Sequence, residues 1–170
     1  MLSLIIGGAA SGKSEYAERH VLKLPGRRIY LATMEPWDQE CRARIARHRR
    51  ARAGRGFETA ERYTDLAGLA VPAEGNVLLE DLSNLLANEM FSPAGGGPGA
   101  AEEGLFALAG RCAHLTVVSN EVFSGGMEYA GDTLDFMRAL ADLHRAIARR
   151  ADLVVEVTAG LANILKGAEP

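Results

Sequence analysis

Residues 7–14 read Gly-Gly-Ala-Ala-Ser-Gly-Lys-Ser, a G-x-x-x-x-G-K-S pattern whose chemistry is the cradling of a polyphosphate. Glycines let the backbone curl until its N–H groups point at phosphate oxygens, and the start of a following helix adds positive potential. Lys13 then reaches the β- and γ-phosphates, and the Ser14 hydroxyl ligates Mg2+. Nucleotide contact is expected across Gly7, Gly8, Ala9, Ala10, Ser11, Gly12, Lys13 and Ser14, and such a loop serves ATP and GTP alike. A second chemical signal closes the apolar run 76–80, where Glu80 and Asp81 stand side by side. Nucleotide enzymes hold there the carboxylate that organises the metal, directly or through water. On a regular strand the two acids point to opposite faces, which favours Glu80 as the metal residue beside Ser14.

The third signal is a basic island. Arg42, Arg44, Arg47, Arg49, Arg50 and Arg52 fall within residues 38–52, with Arg55 just beyond. A solvated face, a nucleic-acid contact and a contact with a triphosphate or phosphorylated substrate all have this composition. One basic island in an acidic chain, without interleaved aromatics, argues against nucleic acid. At helical spacing Cys41, Ile45, His48 and Arg52 share one stripe, so His48 borders the least polar face. An imidazole held neutral by neighbouring guanidiniums could attack an α-phosphate and carry a nucleotidyl group. A histidine with no chemical role fits the same spacing. His20, His114 and His144 lie in predicted helices or at their ends and are read as structural.

The elements that must position these groups alternate. Apolar runs at 2–6, 28–32, 76–80, 115–119 and 153–157 read as five buried strands. Helices are predicted from residue 14, over 38–52, through 84–91, over 101–113 and over 132–150, with a short one that Thr64-Asp65 starts and Pro72 stops. Residues 93–99, rich in proline and glycine, read as a flexible surface connection, and 120–131 as a second glycine-containing loop. Strands alternating with helices predict an α/β fold: a single-domain P-loop nucleotide-binding fold over 1–170, with a mostly parallel sheet and helices on both faces. Ligands in such sheets bind at the carboxyl ends of the strands. That rule gathers the phosphate loop, Thr33, Glu80-Asp81 and Asn120-Glu121 at one edge.

Composition sets the outer bounds. The chain has 170 residues, 48% of them hydrophobic, and a formal net charge of −3, which suits one globular core. No apolar run approaches the roughly 20 residues that span a bilayer. The first run leads straight into the phosphate loop, so it is not read as a signal peptide. Two distant cysteines, Cys41 and Cys112, lack metal-ligand spacing and are expected as free thiols in a cytoplasmic protein.

Several segments recur together. Residues 7–14, Tyr-Leu-Ala-Thr at 30–33, Asp38-x-Glu40, Arg44-Ile-x-x-His48-Arg and Thr59-x-Glu61 are followed by Leu79-Glu80, Asn88 and Val-Val-Ser-Asn-Glu-Val at 117–122. In this order the chain resembles the bifunctional adenosylcobinamide kinase/adenosylcobinamide-phosphate guanylyltransferases of cobalamin assembly, over most of its length. The resemblance implies phosphorylation of the aminopropanol hydroxyl of cobinamide by a nucleoside triphosphate. GTP then guanylylates a histidine, and GMP passes to the cobinamide phosphate. It assigns His48 and Lys13 to catalysis, and places Thr33, Arg44, Glu61 and Glu80 at the nucleotide beside the phosphate loop. It also implies a homotrimer, a corrinoid and a nucleoside triphosphate as small-molecule partners, and no role for nucleic acid or membrane.

The departures are specific. Ala10 stands where arginine is common, Arg47 where some members have a second histidine, and Phe-Ser-Gly-Gly-Met-Glu at 123–128 where G-x-G-[IV]-V-P is expected. They leave open an alternative, a P-loop kinase for cobinamide or another small alcohol without guanylyltransferase activity. A nucleotide switch is a weaker reading, because the N-K-x-D guanine motif is absent.

Overall fold

A computed structural model describes residues 1–52, 54–126 and 128–169, with the side chains of His48, Ala51 and Arg52 outside the described set. Apolar five- and six-residue runs become β1 (Leu2–Gly7), β2 (Arg28–Ala32), β4 (Asn76–Glu80), β5 (His114–Asn120) and β6 (Leu153–Thr158). Two further strands flank them: β3 (Phe57–Glu61) and β7 (Leu161–Lys166). Sequence reading passed over both, because an edge strand with one neighbour needs no continuous apolar run. Phe-Glu-Thr-Ala-Glu in β3 is largely exposed, and every residue of β7 is exposed.

The seven strands form one sheet in the order β3-β2-β4-β5-β1-β6-β7. All pairs are parallel except β6 with β7. The α/β architecture with a mostly parallel sheet is therefore as expected. Helix α1 (Lys13–Leu22) buries Tyr16, Ala17 and Val21 on one face of the sheet, against Ile5, Tyr30, Leu78, Val118 and Val155. Helices α3 (Leu82–Phe91), α4 (Pro98–Ala109) and α5 (Gly131–Arg150) cover the other face, against Leu4, Leu31, Val77, Leu79 and Val117. The strand period of two sends alternate residues to the two cores: Leu4 and Ile5, or Leu78 and Leu79, each fully buried, serve opposite layers. Each such leucine contributes roughly 1.5–3 kcal/mol of burial.

Helix α2 (Gln39–Arg52) is different: no described residue in it is buried, and only Cys41 and Ile45 are half-buried. Their stripe is the least exposed side, as the 3–4 spacing requires.

Several boundaries moved. Pro98 occupies the first turn of α4, where its missing N–H is not needed, so that helix starts before residue 101 and ends at Ala109. His114 accordingly belongs to β5 rather than to a helix end. The connection after α3 is not a loose one. Buried Glu89 accepts from the backbone N–H of Asp65 (2.7 Å) and Gly96 (2.8 Å), and its carbonyl accepts from Gly97 N–H (2.8 Å). The short helix expected after Asp65 is a 3-10 turn, Leu66–Gly68, with Asp65 accepting from the Gly68 N–H.

Candidate active site

The carboxyl ends of β1, β2, β4 and β5 open onto a cleft of about 500 Å³. The phosphate loop forms one wall. Gly7 ends β1, Gly12 takes φ 91° at the cap of α1, and Ala10 sits at φ 56°, so the chain curls between Gly8 and Lys13. Gly7 is fixed by space: a Cβ there would meet Ser11 Oγ at 2.4 Å and the Val157 carbonyl at 2.5 Å. Ala9 through Ser14 line the cleft, while Gly7 and Gly8 stand behind them. Lys13 is buried and donates from Nζ to the Gly8 carbonyl at 3.1 Å. That contact parks its charge beside the space a phosphate would fill.

At the back of the cleft the Ser14 hydroxyl donates to Glu80 Oε1, and Glu80 Oε2 is buried without a partner among the described residues. Burial pushes the Glu80 carboxyl up to about 7, against the opposing pull of the Ser14 hydrogen bond. A buried carboxylate with an orphaned oxygen, next to a hydroxyl, fits a small hard cation such as Mg2+. Among the described residues no three His, Cys, Asp or Glu side chains form a metal cage.

Asp81 is also in the cleft. The alternation that sent it to the far face stops because β4 ends at Glu80, and Asp81 caps α3 instead. Its Oδ1 accepts from the Asn84 N–H at 2.8 Å and its Oδ2 from Asn120 Nδ2 at 3.2 Å. Burial raises its pKa, with the Asn84 hydrogen bond and the Lys13 charge opposing. Asn84 and Asn120 line the same back wall; Asn120 was expected at this edge, and Asn84 was not singled out from sequence. The signal for Asn84 was position alone, at a helix start.

Two expected nucleotide residues do not reach this cleft. Thr33 is fully buried; its hydroxyl donates to the Asp81 carbonyl at 2.7 Å and its N–H to the Glu80 carbonyl at 3.2 Å. It ties the end of β2 to the end of β4, with its own carbonyl taken by Asn88 Nδ2 at 2.8 Å. Glu61, on the outermost strand, is occupied by Arg49 and by the Tyr63 hydroxyl (3.0 Å). It borders a second cavity of about 480 Å³ on the far side of α2. Both placements have one cause: a motif residue's neighbours are set by strand order, and these two have protein partners.

The remaining wall is α2. Arg44, Ile45, Arg47 and Arg49 line the cleft, above a floor of Tyr30, Ala32 and Thr59. Tyr30 and Thr59 are register partners of β2 and β3, so both point to the α1 face. The His48 side chain lies outside the described residues, but its backbone belongs to α2. At 3.6 residues per turn, position 48 falls in the middle of the arc that positions 44, 45, 47 and 49 present. The phosphate loop and the arginine helix thus face each other across one space.

Comparison with known proteins converges on one group. The family model described as cobinamide kinase / cobinamide phosphate guanyltransferase matches residues 3–165. The bifunctional adenosylcobalamin biosynthesis protein CobP of Pseudomonas aeruginosa is 36% identical over 173 residues, covering 98% of each chain. The bifunctional adenosylcobalamin biosynthesis proteins CobU of Escherichia coli and of Salmonella typhimurium are each 29% identical, covering 98% of this chain and all of theirs.

Proposed function

Given that the chain belongs to the cobinamide kinase / cobinamide phosphate guanyltransferase family, we propose that its cleft carries both reactions of a cobinamide-modifying transferase. The loop of residues 7–14 and the start of α1 hold a nucleoside triphosphate, with Lys13 moving from the Gly8 carbonyl to the β- and γ-phosphates. Ser14 and Glu80 would hold Mg2+, which supplies charge neutralisation at the phosphates when bound. In the kinase step the aminopropanol hydroxyl oxygen of cobinamide attacks the γ-phosphorus, the bond from that phosphorus to the β,γ-bridging oxygen breaks, the nucleoside diphosphate leaves, and the hydroxyl proton passes to water. In the transferase step an imidazole nitrogen of His48 attacks the α-phosphorus of GTP; the N–P bond forms and pyrophosphate leaves. A phosphate oxygen of cobinamide phosphate then attacks that phosphorus, the N–P bond breaks, and the imidazole is freed.

The observation that carries this reading is the placement of α2, with position 48 on its cleft-facing arc, directly across from the phosphate loop. The same reading includes a homotrimer in the cytoplasm. An α2 wall with no buried described residue is a surface that a neighbouring subunit could complete.

The test is direct. Mixed with GTP and Mg2+, the protein gains the mass of one GMP in an acid-labile, base-stable linkage, and His48→Ala does not. A wild-type chain that binds GTP yet never gains mass removes the transferase half and leaves a cobinamide or small-alcohol kinase. In that case His48→Ala keeps full phosphoryl transfer.

A further inference from the structure

We propose that Arg47 is the seat of the acceptor's phosphate monoester in the second half of the transfer, a role that rests on the guanylyl-transfer reading above. Arg47 lines the cleft across from the phosphate loop. Of the cleft arginines, Arg49 is held by Glu61, while Arg44 and Arg47 have neither an ion pair nor a hydrogen bond among the described residues; the Arg44 charge acts on Asp81 of the back wall, which leaves Arg47. Ile45 and Arg49 border both the cleft and the second cavity beside β3, but Arg47 borders only the cleft. It therefore faces the cleft rather than the second cavity, one residue before the position that would carry GMP.

Two anionic ligands must meet in this cleft. The donor's polyphosphate is provided for by the loop backbone, the α1 N-terminus and Lys13. The acceptor is a phosphate monoester that must bring its oxygen up to a phosphorus already bearing negative charge. The back wall of Glu80 and Asp81 is given in that reading to the donor's cation. A planar guanidinium with a free fork matches a phosphate bidentately and offsets the repulsion between the two phosphoryl groups. When the acceptor oxygen attacks, the O–P bond forms, the N–P bond to the imidazole breaks, and the charge stays beside the arginine.

The experiment separates the two half-reactions. Wild type, Arg47→Gln and Arg47→Lys are loaded with GTP and Mg2+, freed of nucleotide, and discharged with cobinamide phosphate, while intact mass follows the bound GMP. Arg47 is exposed, so neither substitution disturbs the core. We expect loading rates within about twofold of wild type, while the acceptor concentration for half-maximal discharge rises about tenfold or more in Arg47→Gln, the scale of one charge-assisted hydrogen bond. Arg47→Lys, which keeps charge without the fork, falls between. Inorganic phosphate competes with the acceptor in wild type and loses that effect in Arg47→Gln. Competition that is equal in both, or unchanged discharge, overturns the proposal. Parallel loss of loading and discharge assigns Arg47 to the donor triphosphate instead. A wild-type protein that never loads refutes the guanylyl-transfer reading itself, before Arg47 is in question.

Discussion

Replacing His144 by glutamine should flatten the acid sensitivity of the fold. His144, on α5, is buried and its Nε2 is 2.6 Å from the Ser119 hydroxyl of β5, with the Phe123 ring edge-on at 5.7 Å. Burial lowers its pKa to about 4, with the Glu121 charge opposing weakly. The unfolded ring takes up a proton near pH 6.5 and the native ring only near pH 4, so acid draws the equilibrium toward the unfolded chain between those values. This part of stability is whole above pH 6.5, falls through that window, and stops falling below about pH 4. Linkage puts the loss between about pH 7 and about pH 5 at roughly 2 kcal/mol, and its limit at roughly 3 kcal/mol. For a chain of this size 2 kcal/mol is about 4–8 °C in Tm. Urea unfolding of wild type and His144→Gln at the two pH values measures the difference, since every other titrating group is common to both. Glutamine can still bond Ser119, so its stability near neutrality is close to wild type. If both proteins lose the same stability on acidification, or if the His144 ring titrates near pH 6.5 by NMR, the burial account is wrong. The NMR titration stands even if the variant folds poorly.

Two further substitutions probe the cleft. Thr33→Val removes the hydroxyl that satisfies the buried Asp81 carbonyl, and should cost about 1–3 kcal/mol while leaving the nucleotide dissociation constant of the folded protein unchanged; weakened binding at full folding would make Thr33 a nucleotide ligand after all. Glu80→Gln keeps the shape and the Ser14 contact but removes the charge. The Mg2+ concentration for half-maximal phosphoryl transfer should rise roughly 10–100-fold, and an unchanged Mg2+ titration would remove Glu80 from the metal.

Much of the site was legible because it is local. The octapeptide 7–14 dictates its own conformation: Gly12 at φ 91° is glycine's territory, and the hydroxyl and ammonium that follow open α1. Apolar runs such as 76–80 announce buried strands wherever they lie. The acids at the end of β4 are likewise read from one short segment, up to the point where a helix cap interrupts the strand and turns Asp81 inward. Edge strands β3 and β7 escaped notice because their residues face solvent and carry no alternation to detect.

What the chain alone determined was the presence of a glycine-rich loop with Lys13 and Ser14, a carboxylate at the end of an apolar strand and an arginine-rich helix in an α/β fold. Only the tertiary structure decided which of these meet. The order β3-β2-β4-β5-β1-β6-β7 sets β4 and β5 between β2 and β1, so the cleft lies over their carboxyl ends with α2 facing the phosphate loop. The same order gives Thr33 to the Asp81 carbonyl and Glu61 to Arg49, while leaving Arg47 with no protein partner among the described residues. Backbone conformation follows from neighbours in sequence, which a reader of the chain can see. The partner of a side chain follows from neighbours in space, which the packing of strands and helices alone brings together.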